Sequence, residues 1–206
     1  QGGKVYYNNL KHEDLASGKD MRNGLENVNN RGGVCGRGVL LDWVSYAEKN
    51  NIKYNPVSRQ EIPLSDLEAI AKEQNVEFKT GDILFIRSGF VKWHNEASDD
   101  ERKAGTRDAA NYIGVVANEE SFKWHWDHHF AAVVGDTVAY EAWPPTFPCL
   151  HEYLLAMFGT LIGEMWDLEA LAEKCKKEKR WSFFVTSAPL NVQGGIGSPP
   201  NALAIF

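Results

Sequence analysis

The stretch Gly81-Asp82-Ile83-Leu84-Phe85-Ile86-Arg87 decides the fold. Lys79-Thr80-Gly81-Asp82 reads as a turn, and the run behind it is apolar on both faces, as a strand covered above and below must be. Gly38-Val39-Leu40-Leu41-Asp42 reads the same way and leads into a helix through Trp43, Tyr46 and Ala47. Phe130-Ala131-Ala132-Val133-Val134-Gly135 is a third such strand, fed by an amphipathic helix over Glu119 to His129. Further out, Ser65-Asp66-Leu67-Glu68 has the form of a capping box opening a helix. Leu150 to Phe158 and Leu168 to Lys177 have helical patterns, the second with Asp167 as a candidate cap. Trp181 to Leu190 is rich in β-formers, and Ala202 to Phe206 closes the chain as a strand. Residues 1–34 are polar, with one short helix expected around His12 to Ala16, and Ser98 to Asp108 reads as an exposed loop or helix. Strands alternating with helices predict one layered α/β domain over residues 1–206 with a parallel or mixed sheet.

Composition narrows the functional classes. The formal net charge is −6, which argues against a nucleic-acid binder, because displacing counterions from phosphate takes clustered cations. Lys174, Lys176, Lys177, Lys179 and Arg180 cluster, but at the end of a predicted helix, where the dipole favours them. The apolar runs are too short for a membrane span. Cys35, Cys149 and Cys175 form no CxxC pair, so a reducing compartment and a cytoplasmic location are expected. The chain opens at Gln1 with no secretory leader pattern, and a fragment or processed form is expected.

Ligand-type side chains concentrate in Trp124-His125-Trp126-Asp127-His128-His129. On a continued helix His125 and His129 share a face, a spacing able to hold a divalent ion, and imidazoles at a helix C-terminus are also favoured by the dipole alone. Glu141 lies twelve residues after His129, flanked by Tyr140, Ala142 and Trp143. Strand, turn and return permit an imidazole and a carboxylate to meet there, a donor mix suited to zinc or manganese. His151 reads equally as a group orienting ligand or substrate and as a packed histidine. Cys149 beside it has little support as a nucleophile. The spacings of His12 and His94 support no role at a metal. Trp124, Trp126, Trp143 and Trp166 fit a core or a pocket for a planar substrate. Gly194-Gly195-Ile196-Gly197-Ser198-Pro199 lacks the features of a phosphate loop and reads as a tight loop near a pocket.

Taken in order, Gly36 to Asp42, Gly81 to Gly89, Asp127-His128-His129 with Glu141, Leu150 to Leu155, Ala188 to Val192 and Gly197 to Ala202 resemble the cyclase superfamily, and its fungal members most. That family comprises metal-dependent amide and lactone hydrolases of the kynurenine formamidase type. The resemblance implies a swivelling β/β/α fold with a mixed sheet. It implies a manganese or zinc ion held by His129 and Glu141, which would also serve catalysis, with His125 and His151 behind them. It implies hydrolysis of an amide, lactam or lactone in a small-molecule substrate, and a homodimer or larger oligomer. The alternative is a non-catalytic or processed member with a binding, defence or storage role. The family's early His-x-Gly-Thr-His-x-Asp-x-Pro-x-His stretch would lie before residue 1, so this chain is expected to supply part of the ligand set.

Overall fold

The structure, a computed structural model, describes residues 5–6, 9–16, 21–199 and 201–206. In chain order its elements begin with α1 (His12–Ala16), α2 (Glu26–Asn30), β1 (Val34–Asp42), α3 (Trp43–Lys49), β2 (Glu61–Ile62), α4 (Leu64–Glu73) and β3 (Ile83–Arg87). Then come α5 (Phe90–Glu96), α6 (Asp99–Arg102) with a π-helical continuation at Lys103–Arg107, β4 (Gly114–Val115), α7 (Glu119–His128) and β5 (Ala132–Gly135). A π-helical segment (Glu152–Phe158), β6 (Leu161–Gly163), α8 (Glu169–Glu178), β7 (Ser182–Ser187) and β8 (Ala202–Ile205) complete it.

The main sheet has the order β6-β5-β3-β1-β7-β8. β6, β5, β3 and β1 run parallel, and β7 and β8 add an antiparallel edge, so the sheet is mixed as expected. β2 and β4 form a separate parallel pair. All five residues of β3 are buried, and side chains alternate between two cores. Val39, Leu41, Leu84, Ile86 and Val133 face α3, α4 and α7. Leu40, Phe85, Val134 and Phe183 face the other way, where Leu168, Ala172 and Cys175 of the α8 region cover part of the sheet.

Polar groups lock the C-terminal ends of the parallel strands. Asp42 caps α3 by accepting from the Ser45 amide at 3.1 Å and also accepts from Arg87 at 2.9 Å. Buried Asp136, just beyond β5, accepts from the Ser88 and Gly89 amides at 2.6 and 2.8 Å and so caps α5. Gly89 stands at φ 96°, where a side chain would be strained.

Several local expectations change. β1 begins at Val34, four residues before the apolar run, because its polar first half is paired with β7. The Ser65–Glu68 box does not form: α4 starts two residues earlier, at Leu64 after Pro63, with no side-chain cap. Boxes form instead at Ser98 with Glu101 and at Asn118 with Ser121. Asp167 accepts from the Glu169 amide at 3.0 Å, but Leu168 is the capping residue of α8. The helix expected over Leu150 to Phe158 takes the wider π form for most of its length. No helix among the described residues is long and apolar enough to cross a membrane.

Candidate active site

After β5 the chain turns back through Tyr140, whose φ of 51° is left-handed. Two hydrogen bonds hold this return against β4: the Val115 amide donates to Tyr140 at 2.9 Å and the Ala142 amide to Val115 at 3.1 Å. Gly114 permits the approach, since a Cβ there would collide with the backbone of Glu141. The Tyr140 ring is fixed from below. His125 Nδ1 lies 2.6 Å from the Ser121 carbonyl, which only accepts, so Nδ1 carries the proton. Nε2 therefore accepts from the Tyr140 hydroxyl at 2.9 Å. Burial pushes the His125 pKa down to about 4, consistent with this neutral tautomer.

Glu141 is fully buried. Its Oε2 accepts from the Leu150 amide at 2.5 Å, and its Oε1 accepts from the His151 amide at 3.1 Å and from His151 Nδ1 at 2.6 Å. The far side of the ring faces a second carboxylate, with His151 Nε2 3.1 Å from Glu164 Oε1. An imidazole with a carboxylate oxygen at each nitrogen donates from both, which makes it an imidazolium. Hydrogen bonds to Glu141 and then to Glu164 push the His151 pKa up to about 9. Burial pushes the neighbouring Cys149 thiol up, away from thiolate chemistry.

This carboxylate–imidazolium–carboxylate chain opens on a cavity of about 370 Å³. Its floor is the part of the α8-side sheet face that α8 leaves uncovered, including Ile83, Ala132, Val134 and Val185, and Trp166 stands at its wall. Ile196, Gly197, Ser198 and Pro199 line it too, so the glycine-rich loop lies at a pocket as its composition suggests. Of the four tryptophans considered, only Trp166 reaches the cavity. Trp124 is buried and donates to Glu68 at 2.6 Å, Trp126 is exposed, and Trp143 pairs with Tyr112.

The ligand-type residues fall differently from their spacing. α7 stops at His128, and His129 is its C-cap at φ 52°, exposed, with its ring centroid 6.0 Å from that of Trp126. The helical face shared by His125 and His129 is thereby broken, and His125 is sealed inside. Among the described residues no hydrogen bond or ion pair joins His129 to Glu141; Glu141 is joined to His151 instead. His12 and His94 are exposed and away from the cavity lining. Glu164 is the residue that the spacing argument misses. Its signal is slight: an acid at the end of Leu161-Ile162-Gly163, a run too short to announce itself as a strand.

Among the described residues the donor set does not complete a metal site. Glu141 has both oxygens engaged, which leaves His151 Nε2 and Glu164 as the ligand-type groups at the cavity, against the three protein ligands of a catalytic zinc site. Among the described residues no group of three or more His, Cys, Asp or Glu could hold a metal ion.

One consequence can be measured directly. His151 is ordinary in the unfolded chain, near 6.5, and raised to about 9 in the fold. Its contribution to stability is therefore complete below pH 6.5 and is lost as pH rises through 9. Urea midpoints from pH 6 to 10 should fall across that window, and His151→Gln should flatten the fall.

Fold and site together define an α/β protein with a part-buried acid–imidazole–acid chain at the edge of an apolar cavity. The family described as "Putative cyclase" matches residues 21–142, and the chain belongs to this cyclase family. A solved structure described as a novel cyclase is 31% identical with a TM-score of 0.83, covering 100% of this chain and 65% of that one. Isatin hydrolase A from Labrenzia aggregata, bound to benzyl benzoate, is 17% identical with a TM-score of 0.64, covering 92% of this chain and 68% of that one. A structure described as a potential metal-dependent hydrolase with cyclase activity is 16% identical with a TM-score of 0.53, covering 90% of this chain and 69% of that one. The last two likenesses concern the fold. The chain thus spans 65% of the length of the novel cyclase. No curated protein matches it.

Proposed function

We propose that this protein is a hydrolase acting on an amide, lactam or lactone bond of a small molecule, in the manner of kynurenine formamidase or isatin hydrolase. The observation that carries the reading is the Glu141–His151–Glu164 chain opening on an apolar cavity. Such a cavity takes the body of a small substrate and excludes water around its scissile carbonyl. Glu164 takes a proton from water as the water oxygen bonds to the carbonyl carbon. His151 Nε2–H stabilises the developing oxyanion and protonates the leaving nitrogen or oxygen as the old bond breaks. The proton on Glu164 then returns to His151 across their 3.1 Å contact. Glu141 holds the ring for both steps from its sealed position.

A manganese or zinc ion would supply carbonyl polarisation and a more acidic water. With His151 and Glu164 the only ligand-type groups at the cavity among the described residues, the steps above are assigned to this chain's residues alone. A homodimer is the assembly proposed with this activity, supported by Phe184, Leu203 and Ile205, which are exposed along β7 and β8 at the sheet edge.

The test is turnover of N-formylkynurenine, isatin and an aryl lactone, each with and without added Mn²⁺ or Zn²⁺. His151→Ala and Glu164→Gln are each expected to lower kcat/KM by about 10²–10⁴-fold. Full activity in both variants would overturn the assignment. The partial metal-ligand set among the described residues favours one other reading, a binding protein of the same fold, which binding of a panel compound without turnover would support.

A further inference from the structure

The cavity has a one-sided charge. Among the described residues its lining includes two side chains able to carry charge, His151 and Glu164, and no lysine or arginine. The remaining polar side chains, Ser187, Ser198 and Asn201, are neutral. The chain does not lack cations, with 22 Lys and Arg in all, but the described ones stand elsewhere: Lys174 and Arg180, for example, pack over the Phe206 ring at 5.6 and 5.0 Å. His151 cannot serve as a free counter-ion, because Glu141 and Glu164 already flank it. Two carboxylates against one imidazolium leave this end of the cavity negative.

A carboxylate entering such a cavity gives up water, meets no cation, and lies against Glu164 beside a low-dielectric wall. A neutral amide or ester incurs neither penalty, and an ammonium group gains from Glu164.

We propose that the cavity selects uncharged or cationic molecules with an apolar body and rejects anionic ones, and that Glu164 sets this choice. The proposal rests on the cavity being the substrate site of the hydrolase described above. Hydrolysis of a neutral amide or lactone creates a carboxylate, which the same wall expels, so selection at entry also drives product release. A substrate bearing its own carboxylate, as an amino acid does, ranks behind a neutral lactam of similar size.

The test is calorimetric binding at pH 7 of three compounds sharing one body: 3-phenylpropanamide, 3-phenylpropylammonium and 3-phenylpropanoate. The amide and the ammonium are expected to bind at least about ten-fold more tightly than the carboxylate. Glu164→Gln narrows the gap by tightening the carboxylate. Leu155→Lys reverses it; Leu155 lines the cavity yet is 42% exposed, so a lysine there keeps its stem on the wall and its charge in water. Carboxylate binding as tight as the amide in the unaltered protein overturns the proposal. So does a gap that neither substitution moves, or no binding of any of the three. Selective binding with no turnover of any ester, lactone or lactam supports the selectivity and removes the hydrolase reading alone.

Discussion

Glu141→Ala is expected to lower the unfolding free energy by about 3–5 kcal/mol, a large share of the stability of an ordinary domain. The carboxylate has no exposed surface and accepts from the Leu150 amide, the His151 amide and the His151 ring. Those amides open a helical segment, where donors have no partner within the helix. Truncation leaves them buried and unpaired and strips an imidazolium of its nearer counter-ion. Glu141→Gln is no remedy, because its amide nitrogen would meet donors where an acceptor is required. Urea unfolding at pH 7 gives the loss, and an NMR titration of His151 should show its pKa falling from about 9 toward 6.5. A change in stability below about 1 kcal/mol would mean that Glu141 is not the anchor described here.

Arg87→Ala is expected to cost a comparable 3–5 kcal/mol for a different reason. Its guanidinium grips Glu169 with two nitrogens, Nε at 2.8 Å and Nη2 at 2.6 Å, and gives Nη1 to Asp42 at 2.9 Å. The Arg87 and Asp42 side chains are 8% and 0% exposed. Hydrogen bonds to Glu169 and the charge of Asp42 outweigh burial and hold the guanidinium's pKa above its ordinary value. Removing the arginine leaves Asp42 a buried anion with only Ser45 among the described residues to satisfy it. It also unties the ends of β1 and β3 from α8. Arg87→Lys keeps the charge but loses the two-nitrogen grip, so it should recover only part of the loss. The double variant Arg87→Met with Asp42→Asn removes the orphaned charge and should be more stable than Arg87→Ala. Chemical denaturation of the three variants checks the order, and equal stability of Arg87→Ala and the unaltered protein would refute the account.

Much of the scaffold is legible one segment at a time. The runs around Leu40, Leu84 and Val133 are apolar on both faces and become the central strands, and the polar start hides a short helix at His12–Ala16 as expected. β2, β4 and β6 are two or three residues long, too short to show any period. α5 escapes notice because its cap comes from Asp136, 47 residues beyond Gly89. The site divides along the same line. Histidine spacing draws attention to His125 and His129, yet a helix that ends one residue sooner sends the two apart.

What the sequence alone determined is the alternation of buried strands and amphipathic helices, and with it a layered α/β domain whose ordered motifs resemble the cyclases. Each of these follows from residues close together in the chain, where period and capping chemistry act. Only the tertiary structure decided that Glu141 meets His151, and that Glu164 closes the other side of the ring. The reason is physical: a charge settles where the whole fold brings a partner out of water, and spacing along the chain does not reveal which partner that is.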